Sequence, residues 1–263
     1  MNITALSECM ESIKSVFSAL PGKLGFYYGD LNDPSRRISI NSEECFTAAS
    51  VIKVPVLAAV CREISLGKLS LADTVVVREE VKVPGCGCYS LMPGDITTTV
   101  EALISTMIAI SDNTATNVLI NLLGLERIHE TFTYLGLVHT QLQRRLYDSS
   151  AVGKRNIIRL DEIASLFKRM YRGELISLEM DPLMINKLLL QQINHKIPSK
   201  LPYDTSIAHK TGEVNGVSHD IGLVLIERPY VIGFASEDTD VPGFEQAIRD
   251  ISLTVYQYHT SDA

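Results

Sequence analysis

The sequence predicts an α+β fold: an antiparallel sheet assembled from both ends of the chain and flanked by helices, carrying an inserted, mainly helical body. Three observations support this. Extended, β-rich patterns fall mainly near the two ends, at 23–41 and 206–236; apolar residues recur at helical spacing through most of the stretch between; and an amphipathic helical pattern stands at each terminus. No linker or internal repeat divides the 263 residues, so one domain is expected, made of an α/β part (1–46 with 203–263) and a mainly helical part (47–202).

At the first end, Leu6, Met10, Ile13, Phe17 and Leu20 share a helical stripe that Pro21-Gly22 ends. Lys23–Gly29 and Arg37–Asn41 are β-rich runs on either side of a turn-forming cluster, Asp30 to Ser35, and read as a hairpin. After Phe46 the period turns helical. Pro55 cannot sit deep in a helix without clashing with the carbonyl four residues back, so this helix begins close to Ser50 and runs to about Ile64. Thr74–Val77 and Val81–Val83 read as short extended pieces ahead of Pro84-Gly85.

Thr98-Thr99-Val100-Glu101 has the form of a capping box, opening a helix whose Val100, Leu103, Ile104, Met107 and Ile108 fall on one stripe. That helix stops at Ser111-Asp112-Asn113. A second follows at once, with Val118, Leu119, Leu122 and Leu123 inside and Gly124 as its stop. The triplet thus stands at a tight helix-to-helix corner, where short polar side chains either project into a cleft or simply cap the second helix. Glu126–Leu135, Leu160–Tyr171 and Pro182–Gln192 are further helical patterns. Ser206–Gly212 is extended, Asn215-Gly216 is a two-residue hairpin signal, Val217–Ile226 pairs back, and Tyr230–Ser236 adds a strand. Phe244, Ile248, Ile251 and Val255 form the last amphipathic helix.

With 46% hydrophobic and 21% charged residues, the composition is that of a globular chain with a sizeable core. A net charge of −7 and a pI near 5.4 argue against nucleic acid or an anionic membrane surface as partner, since both call for a basic patch. No apolar run approaches the ~20 residues of a membrane span. Glu8, Glu11 and Lys14 interrupt residues 1–20, which therefore lack the pattern of a signal peptide; a cytoplasmic protein is expected unless a leader was removed. Cys9, Cys45, Cys61, Cys86 and Cys88 are an odd number, so at least one is unpaired within the chain. Cys86-Gly87-Cys88 has the form of half a metal clamp, but no second Cys/His pair accompanies it, so loop thiols are expected, with no metal and no cofactor. The oligomeric state has no signature in the sequence.

Chemistry enters with Ser50-Val51-Ile52-Lys53. A hydroxyl and an amine three residues apart share a helix face, so the amine can take the hydroxyl's proton; at the start of the helix, free N–H groups favour an oxyanion. The spacing alone says little, because Ser65-Leu66-Gly67-Lys68 repeats it at an apparent helix end. Ser111-Asp112-Asn113 and Lys210-Thr211-Gly212, each triplet present once, add weight.

With the three motifs in this order, the chain resembles the class A β-lactamase-like, penicillin-recognising serine hydrolases over nearly its whole length. The resemblance implies a β-lactamase/DD-peptidase-like form of the α+β fold. It further implies that a carbonyl carbon acylates Ser50, that Lys53 takes part in deprotonating Ser50, and that Ser111 passes the proton to the leaving nitrogen. Asn113 would hold the substrate's side-chain amide, while Lys210 and Thr211 would meet a substrate carboxylate. The backbone N–H groups of Ser50 and Glu213 correspond to the oxyanion hole, and Gly212 lets the strand approach closely. A lysine serves as base only if desolvation or nearby positive charge lowers its pKa, and Lys210 could supply that charge. The implied substrate is a β-lactam or a related acyl-peptide amide or ester. A D-alanyl-D-alanine-type peptidase, an esterase, a glutaminase, and a β-lactam-binding protein that stays acylated are the alternatives on the same scaffold.

Two departures from the family pattern matter. Glu213 puts a carboxylate beside the anion-binding site, and His219-Asp220 stand where many relatives have an arginine. Class A enzymes also carry Glu-x-x-Leu-Asn in the loop that corresponds to Arg144–Asn156, and that glutamate activates the deacylating water. Here Asp148 is the only carboxylate in the stretch, available either as the deacylating base or as an ion-pair partner of Arg144 or Arg145. Acylation faster than deacylation is the expectation.

Overall fold

The computed structural model describes the chain from Ile3 to Thr260 and its side chains from Met10 onward, leaving the side chains of Leu6 and Cys9 outside the described residues. Helix α1 (Ile3–Ser18) buries Ile13 and Phe17. The chain then reverses at Gly22, where φ is 87° and a Cβ would meet the Asp238 carbonyl oxygen at 2.5 Å, so no other residue fits this turn without strain. Strands β1 (Lys23–Asp30) and β2 (Arg37–Ile40) form the expected hairpin, its turn fixed by Asp30 Oδ1 accepting from the Asn32 and Asp33 N–H groups.

Strand β3 (Cys45–Thr47) leads into a 3₁₀ turn, Ala49–Ile52, and then helix α2 (Lys53–Ser65), with Pro55 in its first turn, where a missing N–H costs nothing. Strand β4 (Thr74–Val77) pairs with β5 (Ile96–Thr99). The extended piece expected at Val81–Val83 does not form as drawn: Val81 closes a 3₁₀ turn, Glu79–Val81, whose first N–H is held by Asp95.

Helix α3 (Val100–Ala109) starts one residue later than the capping box predicts. Strand pairing holds Thr98 opposite Val75, so Thr99 caps the helix by accepting from the Ala102 N–H, and Glu101 pairs with Lys187 at 3.0 Å. Helices α4 (Asn113–Leu123) and α5 (Leu125–Leu135) follow. Leu122, expected inside, is instead 40% exposed in the last turn of α4, while Leu119 and Leu123 take the buried positions.

Strand β6 (Ile157–Arg159) returns to pair with β3 and runs into helix α6 (Leu160–Arg172), with α7 (Met180–Leu189) beyond it. Strands β7 (Ser206–Val214), β8 (Val217–Leu225) and β9 (Tyr230–Glu237) precede helix α8 (Val241–Thr260), and Asn215-Gly216 makes the β7–β8 turn. The main sheet is antiparallel, in the order β2-β1-β9-β8-β7, so strands from the two ends of the chain meet at β1–β9.

One face of this sheet, with Phe26, Tyr28, Ile232 and Phe234, packs against Phe17 of α1 and Phe244 and Ile248 of α8. The other face, with Tyr27, Ile221, Leu223 and Val231, joins a larger core with α2 to α7. Helix α2 lies at the centre of that core: Lys53 through Cys61 are all fully buried, each aliphatic side chain contributing roughly 1.5–3 kcal/mol by leaving water. Lys53 is buried because the helix that carries it is surrounded. Among the described residues, no helix is long and apolar enough to cross a membrane.

Candidate active site

Three segments converge on Ser50: the turn before α2, the corner between α3 and α4, and strand β7. The corner is shaped by Ser111, whose φ of 57° makes the reversal between the helices, and by Asp112, which is buried at 1% exposure. Its carboxylate accepts from the Ala115 N–H at 2.8 Å as the cap of α4, and from the Cys88 and Tyr89 N–H groups at 2.7 and 3.0 Å. Both sequence readings of the triplet therefore hold, divided among its members. Asp112 caps; Ser111 and Asn113 face Lys53.

Lys53 Nζ lies 3.0 Å from Ser50 Oγ, 2.8 Å from the Ser111 carbonyl, 3.0 Å from Ser111 Oγ and 2.8 Å from Asn113 Oδ1. Burial first, and the charge of Lys210 second, hold its pKa well below the usual lysine range. In its neutral form this amine has two protons and one lone pair. The two carbonyl oxygens accept only, so they claim the two protons, and the lone pair remains for a hydroxyl.

Lys210 Nζ donates to Ser111 Oγ at 3.2 Å and to the Thr211 carbonyl at 2.8 Å. It is fully buried, not solvated on its strand, and burial brings its pKa down to about 7, with Asp220 opposing that shift and Lys196 adding to it. Ser111 Oγ thus bridges the two lysines. Gly212 brings β7 against the turn: a Cβ there would stand 3.1 Å from the Ser50 and Val51 nitrogens, so glycine sets the approach. Thr211 is buried beside it. Ala49 and Tyr147, at the edge of the cleft, have φ of 42° and 59°, strain of a kind that gathers at functional sites.

The cleft itself encloses about 300 Å³ and is lined by Ser50, Asn113, Cys86, Leu146, Arg144 and Glu213, among others. Asn113 Nδ2 also donates to the Pro84 carbonyl at 3.2 Å. Asp148 does not line this cleft. Its Oδ1 accepts from the Ser150 hydroxyl and N–H, and Oδ2 lies 3.4 Å from Arg145, and these contacts, Ser150 foremost, hold its pKa below the ordinary value. The loop turns Leu146 inward instead, pinned at both backbone groups by Asn117, which accepts from the Leu146 N–H at 2.8 Å and donates to its carbonyl at 2.9 Å.

Neither His219 nor Asp220 lines this cleft. Burial lowers the His219 pKa to about 4, and its ring bonds to the Thr47 carbonyl and the Ser236 N–H; Asp220 holds His209 and the Ile197 N–H. The positive charge beside Glu213 comes from Lys196, a residue with no motif around it, which packs its fully buried ammonium 2.8 Å from Glu213 Oε1. Among the described residues, His195, Glu213 and Glu245 form the one group whose ligand atoms lie within 4.8 Å of one another, and that ammonium stands beside it. The four described cysteines are free thiols.

The arrangement can deprotonate Ser50, accept an acyl group on it, and relay a proton through Ser111. Residues 8–259 match the model of the β-lactamase enzyme family. The extended-spectrum β-lactamase PER-1 of Pseudomonas aeruginosa is 24% identical over 86% of this chain and 79% of its own length. The crystal structure of a β-lactamase from Sphaerobacter thermophilus superposes with a TM-score of 0.87 at 27% identity, covering 98% of both chains, and that of PBP-A does so with 0.87 at 26%, covering 97% and 96%. With the family match running almost from end to end, the chain belongs to the β-lactamase enzyme family and is a serine hydrolase of that family's kind.

Proposed function

We propose that Ser50 is the nucleophile of a β-lactam-acylated hydrolase, with Lys53 as the base that activates it and Ser111 as the relay to the leaving nitrogen. The observation that carries this reading is the buried Lys53 amine, its pKa held well below the usual lysine range, 3.0 Å from Ser50 Oγ and 2.8 Å from the two carbonyl oxygens of Ser111 and Asn113. Attack of Ser50 Oγ on the lactam carbonyl opens the ring; the hydroxyl proton passes to Lys53 and, through Ser111, to the nitrogen that leaves the carbonyl. The Ser50 and Glu213 N–H groups are the donors for the oxyanion, each typically worth about 10²–10³ in rate. Asn113 and Thr211 position the substrate, and Lys210 supplies positive charge beside Ser111.

A second reading, of a protein that acylates and releases slowly, is favoured by the loop. Asp148 is engaged by Ser150 and Arg145, and the cleft wall above Ser50 presents Leu146 and Tyr147 in place of a carboxylate. A PBP-A variant was captured as its acyl-enzyme with penicillin G, so a relative of similar fold holds such an adduct. Nitrocefin hydrolysis followed from the first turnover, with mass spectrometry of the protein, separates the two: a burst of about one equivalent with a lasting adduct on Ser50 supports slow release, and steady turnover without a burst supports efficient hydrolysis. Absence of both overturns the assignment of Ser50.

A further inference from the structure

Strand β7 delivers two side chains to the Ser50 cleft, Glu213 and Val214, directly after the glycine that touches the Ser50 turn. Ser50 lines the same cleft, so Glu213 stands on a wall that an acyl donor seated there would meet. A carboxylate at that position is at odds with an anion-binding role, unless it is itself bound.

It is bound, and to a cation built for it. The Lys196 ammonium is fully buried and has three protons; Glu213 Oε1 at 2.8 Å, Ser218 Oγ at 2.9 Å and the His219 carbonyl at 3.0 Å are three acceptors. Glu245 stands farther off, at 3.9 Å from the ammonium, and accepts from Ser218 Oγ. His195 approaches Glu213 at 3.4 Å and Glu245 at 3.6 Å from the solvent side. With every proton of Lys196 placed, none is free for a substrate. The lysine of strand β7 itself, Lys210, is committed to Thr211 and Ser111.

We propose that Glu213 acts as a built-in anion that occupies Lys196 and so sets substrate choice: the β7 end of the cleft selects acyl donors that are uncharged beyond the leaving atom over those that carry a carboxylate there. Lys196 is the latent carboxylate-binding group, exposed to substrate only when the charge at position 213 is lost. Glu213 is here a specificity-determining residue and Lys196 a positioning residue, distinct from Lys53 and Lys210. The inference rests on the reading of Ser50 as the acylated residue.

The test compares acylation of two thioester depsipeptides that differ only in ending as a carboxylate or a carboxamide, with each adduct located by mass spectrometry. In Glu213→Gln and Glu213→Ala the carboxylate-to-carboxamide ratio of kcat/KM rises about tenfold, the effect of deleting one like charge at a contact. Glu213→Asp, which keeps the charge, holds the ratio low. Adding Lys196→Met to Glu213→Ala returns the ratio to the wild-type value. Because Lys196 is buried, the double variant is read beside Lys196→Met alone, and the Gln and Ala variants, at a half-exposed position, stand without it. A ratio that stays within about twofold of wild type in both, or a gain that survives loss of Lys196, overturns the inference while leaving Ser50 acylation intact. Failure of every variant to form an adduct at Ser50 overturns the acylation reading itself, and this inference with it.

Discussion

Lys53 Nζ stands 3.0 Å from Ser50 Oγ at the buried start of α2, and the same nitrogen reaches the Ser111 and Asn113 carbonyl oxygens at 2.8 Å. Lys53→Met keeps the side-chain bulk and removes the lone pair. Acylation by a fluorescent penicillin is expected to slow by about 10²-fold or more, the weight of a placed base, while Ser50→Ala abolishes labelling altogether. Labelling of Ser50→Ala at the wild-type rate would move the nucleophile elsewhere.

The two lysines give the reaction a pH profile with a definite sign. Lys53 works as base only when neutral, and its pKa is depressed, so acylation rises with pH on a limb well below the ordinary lysine value. Lys210 supplies positive charge only when protonated, so activity falls on an alkaline limb near its pKa of about 7. Removing that charge in Lys210→Met should abolish the alkaline limb and raise the pKa of Lys53, moving the acid limb upward. Stopped-flow acylation across about pH 5 to 10, roughly two units below and three above the Lys210 pKa of about 7, reads both limbs.

Leu146 faces the cleft from a segment clamped at both backbone groups by Asn117. A carboxylate placed there would meet the water side of an acyl-serine, so Leu146→Glu is expected to shorten the life of a penicillin adduct by about tenfold or more without loss of the burst. Asp148→Asn, by contrast, should leave the adduct lifetime within about twofold of wild type and loosen the loop around Ser150. A long-lived adduct appearing only in Asp148→Asn would restore Asp148 as the deacylating base.

Asp112 satisfies three backbone N–H groups from inside the protein. Asp112→Ala leaves them without that acceptor, at about 1–3 kcal/mol for each buried donor, so urea unfolding should show a loss of about 3 kcal/mol or more. The Cys86–Tyr89 segment is tied to the same carboxylate, and its amide protons should exchange faster in the variant.

Gly212 brings β7 close against the Ser50 turn. In Gly212→Ala the added methyl would press on the Ser50 and Val51 nitrogens at 3.1 Å, displacing the strand by a few tenths of an ångström. A drop in kcat larger than any change in KM is expected, because oxyanion donors act on the transition state.

Much of this protein is written in local patterns. Alternation and turn residues marked the strands at 23–41 and 206–236, helical spacing marked α2 to α7, and the three short motifs named Ser50, Lys53, Ser111, Asn113 and Lys210, because periodicity and motif spacing are properties of neighbours along the chain. The places where prediction slipped were decided by partners distant in sequence. Thr99 replaced Thr98 as a cap because β4 holds the strand; Leu122 lies exposed where Leu123 has filled the core. The same holds for chemistry. That the Lys53 pKa is depressed depends on a whole core closing around α2, that Asp148 turns to Ser150 and Arg145 depends on how its loop folds over Asn117, and that Glu213 has a cation depends on Lys196, placed beside it by the return of the chain from α7. Residue types and spacing fix which groups are available. Burial and hydrogen-bond geometry, which exist only once distant segments meet, fix which proton each of them holds.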